Sequence, residues 1–396
     1  MSLHEVLDTV AEDPLLWSDF SALCDAGGRL AGSDSAASAF TFAAVRLATI
    51  GPVCNEPTAY AGWTCQAARL EHRGRLLDCT ALLGSMPCED LALDVRDLGR
   101  GAPQPGRLDG LAVMARHEYP FATHTLHRRV KLAAATGAGA AAFFIVQPEA
   151  GVGPVSGSSG RAGAAGIPAL GISAEAAEAL RGGGQARITI EAQDHPAQTP
   201  NLILELPGRG PGLVALSAHL DGHPLGESAL DNASGVAAAL CLARALAPHV
   251  AGLEHGLLLC LFGAEEWALA GSRTWLAGLD EERRGRIVLN LNLDSIAGHP
   301  TLSALTSGFA GLPDMLRSAV PRLGIHEPLM ANSDHANFAA HGIPAARIIA
   351  GFNEPGSNLR YLLTAADRRQ LTSEAELRTA TLTAARLLWA GLTPSR

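Results

Sequence analysis

The chain has 396 residues, of which 17% are charged, and a formal net charge of −9. That length exceeds one ordinary hydrophobic core and predicts two domains. No Lys/Arg cluster with interleaved aromatic residues occurs, which argues against a nucleic-acid partner. No apolar stretch is long and charge-free enough to span a bilayer, so no membrane partner is expected either.

Seven cysteines occur, Cys24, Cys54, Cys65, Cys79, Cys88, Cys241 and Cys260, without a Cys-x-x-Cys pair. Met1 to Phe20 is acidic and lacks the apolar run of a signal peptide. Together these predict a cytoplasmic protein with reduced thiols. Lys131 is the single lysine, a composition we read as codon bias.

In chain order, two helical patterns come first, Leu15–Asp25 and Ala36–Ala48, with Ser33 or Asp34 as N-cap of the second. Between about residues 51 and 197 the pattern changes. Leu111–Ala115 and Ala141–Val146 read as strands around a helical His127–Ala135, and Ile167–Ser173 leads into a further helix. Residues 149–166, rich in Gly, Ser and Ala, read as a loop. Gly208–Gly212 has neither the lysine nor the helix start of a phosphate loop and reads as a turn.

Beyond residue 197, four apolar runs read as buried strands: Leu213–Ala218, Leu257–Phe262, Ile287–Leu293 and Ala345–Ala350. Helical patterns separate them, so a largely parallel sheet with crossover helices is expected. Polar groups follow these runs: His219-Leu220-Asp221, then Glu265-Glu266, then Asp294, with Asp231-Asn232 between the first two. In open α/β sheets ligands bind at the carboxyl ends of the strands, so these distant residues should converge. Imidazole and carboxylates without thiolate suit zinc or a harder divalent ion in a hydrolytic site. In His-x-Asp the carboxylate can hold the second ring N–H of a ligating histidine, which assigns Asp221 an orienting role. Asp231 is placed to bridge two ions, and of the paired glutamates one can ligate while the other moves a proton. There is no His-Glu-x-x-His and no Gly-x-Ser-x-Gly, and a Ser228 triad lacks a visible base and oxyanion hole.

The segments HLDGHPLGESALDNASGVAAAL, FGAEEW, NLD and SDHANFAAHGIPA resemble those of the co-catalytic zinc aminopeptidases, metallopeptidase clan MH, family 28, over Pro200 to about Asp367. The resemblance implies an α/β fold, a mixed and mainly parallel sheet with helices on both faces. It implies His219 and Asp294 on one zinc, a bridging Asp231, Glu266 on a second zinc, Glu265 as general base beside Asp221, and a cis Asp231–Asn232 peptide. It also implies domains at 1–50 (N-terminal helices of the peptidase domain), 51–197 (an inserted β/α module similar to a protease-associated domain) and 198–396 (the catalytic domain). That insert either covers the cleft, selects substrates or serves as a structural module. The expected activity is zinc-dependent hydrolysis of peptide or amide bonds, of aminopeptidase type, on a peptide or aminoacyl substrate.

One position departs from the pattern. The family's last ligand is a histidine in Tyr-His-Thr-x-x-Asp, and here the stretch reads Leu362-Leu363-Thr364-Ala365-Ala366-Asp367. With Leu363 at that place, one tight zinc is expected and the second weak or absent. His223, His299, His335 and Tyr361 are candidate replacements, and each reads better as a loop, pocket or supporting residue. Arg347 and Arg360 are candidates for a substrate carboxylate. Two rivals follow: a non-catalytic peptidase-like binding module, and a single-zinc acyltransferase of glutaminyl cyclase type, whose half-site is the damaged one.

Overall fold

The structure is a computed structural model that describes residues 2–101, 107–161 and 163–394, so Ala162 of the predicted 149–166 loop lies outside the described residues. The chain forms two compact units. The first comprises Met1–Ala59, Gln198–Leu359 and Asp367–Arg396, and the second Tyr60–Ala197 with Arg360–Ala366.

The first unit is built on an eight-stranded sheet. From one edge its strands are Val53–Asn55, Leu202–Leu206, Gly256–Phe262, Leu213–His219, Ile287–Leu293, Ala345–Ala350, Leu302–Thr306 and Gly324–His326. The central strands pair in parallel, with His219 opposite Phe262 and Ser217 opposite Asn292. Leu202–Leu206 and Leu302–Thr306 add antiparallel pairs on either side, so the sheet is mixed. The central strands Leu213–His219 and Gly256–Phe262 are buried at every position, which explains their unbroken apolar runs. Phe262, Trp275 and Phe338 meet beside them with ring centroids 5.5 to 6.4 Å apart. The helix Ser234–Leu246 is buried along nearly its whole length, and only Arg244 is partly accessible.

Val53–Asn55 pairs with Leu202–Leu206 as an edge strand of the first unit's sheet, so residues 51–59, expected in the insert, belong to the first unit. Likewise, residues 360–366, expected in the catalytic domain, pack with the second unit. An additional helix, Leu3–Glu12, precedes the two predicted ones. Its signal was legible: Ser2 and Glu5 form a capping box, and Val6, Leu7 and Val10 recur on one face.

The second unit has its own eight-stranded sheet, in the order Arg75–Leu77, Thr58–His72, Gln185–Thr199, Cys88–Asp97, Leu111–Arg116, Ala142–Val146, Ala169–Ile172 and Cys79–Ala81. Cys88–Asp97 through Ala169–Ile172 run parallel. The helices Arg128–Gly137 and Ala174–Arg181 stand where the pattern placed them, the latter capped by Ser173. Phe143, Ile145, Val113, Ala135 and Leu82 form its core, and Leu363 packs against that cluster. The long strands Thr58–His72 and Gln185–Thr199 were missed because their half-buried, polar-rich alternation carries no continuous apolar run.

Candidate metal centre

His219 ends its strand, Asp294 directly follows Leu293, and Glu265 and Glu266 leave the end of Gly256–Phe262, so three adjacent parallel strands deliver their polar residues to one place. His219 Nε2 lies 3.1 Å from Asp231 Oδ1 and 3.5 Å from Asp294 Oδ1. Ligand atoms of His219, Asp231 and Glu266 all lie within 4.8 Å of one another, and so do those of His219, Glu265 and Asp294.

The imidazole is oriented from behind. His219 Nδ1 is 3.1 Å from the backbone carbonyl of Asp221, an oxygen that can only accept, so Nδ1 donates there and Nε2 is the nitrogen turned toward Asp231 and Asp294. The Asp221 carboxylate lies farther from that nitrogen, at 3.7 Å. Its oxygens instead accept the N–H groups of Glu265 (3.0 Å) and Glu266 (3.3 Å). Asp221 therefore ties two strand ends together, a broader role than orienting the ring.

Asp231 is placed by its own loop. The 231–232 peptide is cis. Asp367 accepts the N–H groups of Leu230 and Asp231 at 2.9 and 3.3 Å. Asn232 donates to the Leu293 carbonyl and accepts from the Gly235 and Ser295 N–H groups, joining this loop to the Asp294 strand end. Buried Arg29 adds a clamp that sequence reasoning missed, since a lone arginine in a Gly-rich turn carries no visible signal. It donates to the carbonyls of Leu220, Glu227 and Ser228 at 2.9, 2.8 and 2.8 Å.

Asp294 stands at the end of a buried hydrogen-bond chain. Asn290 donates to Ser217, whose hydroxyl donates to Asn292; Asn292 donates to Ser333, whose hydroxyl donates to Asp294 Oδ2 at 2.5 Å. Asn290 and Asn292 occupy the alternate positions of Asn-Leu-Asn-Leu-Asp, a period-2 polar stripe in an apolar strand that could have signalled this. Arg347 Nη2 lies 3.1 Å from the same oxygen. Arg347 is thus committed to Asp294, and the substrate-carboxylate role considered for it is not what the structure places there. Arg360 lies over the Tyr361 ring in the second unit.

Burial would raise the Asp294 carboxyl, but Arg347 and His219 hold it below the ordinary range. Burial pushes Glu265 and Glu266 well above the carboxylate range, with Glu266 adding to the effect on Glu265 and Asp231 to that on Glu266. Lone pairs and carboxylates crowded in this way fit a cation, and Glu266 Oε1 accepts no hydrogen bond among the described residues. The donors, one imidazole and four carboxylates with no thiolate, suit zinc.

The replacement candidates separate clearly. His299 Nδ1 accepts the Thr301 N–H within its own loop. His335 is fully buried, and burial pushes it down to about 3. His223 Nε2 lies 2.6 Å from Glu266 Oε1. Leu363, in the second unit, has φ +67° and packs on that unit's apolar cluster, with its carbonyl accepting the Ser156 N–H.

A mainly parallel sheet carrying a histidine–carboxylate cluster at its carboxyl ends defines an α/β protein with a candidate metal centre. Residues 201–388 match the profile of Peptidase family M28. Among similar proteins, it is 28% identical over 314 residues to a probable leucine aminopeptidase 2 of Aspergillus fumigatus, covering 73% of this chain and 61% of the relative. It is 28% identical to aminopeptidase YwaD of Bacillus subtilis, covering 71% and 63%. The chain thus spans under two thirds of the length of these relatives. The fold is also that of a zinc aminopeptidase structure from Bacillus subtilis (TM-score 0.77, 23% identity, 96% and 95% of the two chains). A peptidase M28 precursor from Shewanella amazonensis shares it too (TM-score 0.82, 19% identity, 100% and 96%).

Proposed function

We propose that this chain is a zinc-dependent hydrolase of peptide or amide bonds, of aminopeptidase type. The observation that carries the reading is the convergence of His219, Asp231, Glu265, Glu266 and Asp294 at the ends of adjacent strands. The names of the relatives, aminopeptidases, support it. His219, Asp231 and Asp294 would hold one zinc, the tighter, and Asp231 with Glu266 begin a second, weaker position. Zinc in such a site polarises a carbonyl and acidifies water.

The chain's own part is proton handling and placement. Glu265, its basicity raised by burial, takes a proton from the attacking water and returns it to the leaving amine. Asp221 fixes the Glu265 backbone through its N–H. The Asn290-to-Asp294 chain and Arg347 fix the Asp294 carboxylate, and Asn232 and Asp367 fix Asp231, so little reorganisation accompanies turnover. Leu363 motivates the non-catalytic reading, while Glu265 in the cluster supports catalysis. We carry the protease-associated character of the second unit and a cytoplasmic location as parts of the same proposal, checked by deletion kinetics and by fractionation.

The test is Glu265→Gln. The amide keeps the shape and cannot carry the proton, so hydrolysis of aminoacyl amides and dipeptides should fall by about 10²–10⁴-fold with zinc content unchanged. Most activity retained in that variant sinks the assigned base.

A further inference from the structure

We propose that Asn337 is a positioning residue for the general base Glu265, acting through the backbone of Leu269 and held in turn by Ser272 and Asp334. The inference rests on the hydrolase reading above and concerns only how that glutamate is kept in place.

Glu265 sits in the turn between the strand Gly256–Phe262 and the helix Ala270–Gly278. Three residues of this turn, Ala264, Ala268 and Leu269, have left-handed backbones, with φ of +54°, +60° and +61°. A residue with a Cβ avoids that region, a bulky one such as leucine most of all, so the conformation persists only where its surroundings enforce it. The helix that follows supplies no such restraint, since Leu269 at its N-cap makes no side-chain hydrogen bond.

The restraint comes from a segment 68 residues further along the chain. Asn337 Nδ2 donates to the Leu269 carbonyl at 3.1 Å and to Ser272 Oγ at 2.7 Å. The Leu269 carbonyl can only accept, so the Asn337 amide has to turn its NH2 that way. The Ser272 hydroxyl donates to Asp334 Oδ1 at 2.5 Å, and the Asn337 N–H donates to the Asp334 carbonyl at 2.9 Å. Ser272 and Asp334 are fully buried, so loss of a donor here would leave polar groups unpaired away from water.

Leu269 passes the restraint on, because its own N–H donates to the Glu265 carbonyl at 2.7 Å. On the other side, the Glu265 N–H donates to Asp221 Oδ1 at 3.0 Å. The backbone of Glu265 is thus gripped at both its N–H and its carbonyl, and only its side-chain torsions remain free. Proton transfer needs the carboxylate within hydrogen-bond reach of the attacking water. A displacement of about 1 Å can cost about 10²-fold in rate.

The experiment measures kcat and KM for an aminoacyl amide, together with zinc content. The proteins are wild type and Glu265→Gln, each alone and combined with Asn337→Asp or Ser272→Ala. Asn337→Asp keeps the shape and removes both donors. It should lower kcat by about 10–100-fold with KM and zinc content unchanged, and Ser272→Ala, which spares the bond to Leu269, should lower kcat less. In the Glu265→Gln background neither change should have a further effect, because a residue that acts through Glu265 has nothing left to position there. A merely structural role would lower both backgrounds alike. Hydrogen exchange of the metal-free proteins gives a reading independent of activity: amides of residues 265–269 should exchange faster in Asn337→Asp than in wild type. Circular dichroism identifies a variant that fails to fold, and Ser272→Ala, the milder change, then carries the comparison. Wild-type kcat or unchanged exchange in folded Asn337→Asp, an equal loss in the Glu265→Gln background, or zinc lost in step with activity overturns the assignment and leaves the hydrolase reading standing. A zinc-loaded wild type inactive on amides and peptides overturns that reading, and this one with it.

Discussion

A histidine can offer a lone pair to a cation only if its other ring nitrogen is spoken for, and at His219 the Asp221 carbonyl does this. The sequence pattern His-x-Asp pointed to the right residue, but to its carboxylate rather than its backbone, because spacing alone does not say which oxygen lies nearer. Leu363 is similar: its type was legible, its environment was not. Since Leu363 rests on the second unit's apolar cluster, Leu363→His should place an imidazole against that cluster and cost about 1–3 kcal/mol in urea unfolding. An unchanged midpoint would show that this side chain is not held there. Asp367 yields a pH prediction. Burial pushes its carboxyl up to about 7, with the Leu230 N–H opposing and Asp231 adding to the rise. The unfolded chain releases this proton near pH ~4, so folding takes up a proton between the two values. The contribution is fully present below pH ~4 and is lost as pH rises towards 7. In metal-free protein, the stability of wild type minus that of Asp367→Asn should therefore decline from pH 4 to 7, and a flat difference would refute the shift.

At the scale of elements, the strands of the first unit were readable because burial on both faces leaves no choice but apolar residues, and strand-end placement then located the polar ones. The loop between His219 and Asp231 was not readable, since its shape depends on Arg29, about 190 residues earlier in the chain. Arg29→Met should strip several buried carbonyls of their donors and cost about 3 kcal/mol or more. It should also loosen both metal positions together, which chevron kinetics and zinc titration would read separately. Wild-type stability in that variant would mean that water replaces the guanidinium. The long strands Thr58–His72 and Gln185–Thr199 escaped notice for the opposite reason: half-exposed strands tolerate almost any residue.

At the scale of the whole molecule, a site that forms only on folding links metal to stability. Zinc at about 100 times its Kd should stabilise the protein by about 2.7 kcal/mol per site, seen as a concentration-dependent rise in Tm that a chelator reverses. No rise would remove the metal centre. By itself, the sequence determined the α/β class, the buried strands and the identity of the residues at their ends, because those depend on local burial and on the fixed polarity of each side chain. Only the tertiary structure decided that Val53–Asn55 joins the first unit's sheet and that residues 360–366 pack with the second unit. It likewise set Arg347 on Asp294 and His223 beside Glu266. Each of these is a pairing between distant parts of the chain, and such a pairing is chosen by the competition among all partners in three dimensions, which no local pattern records.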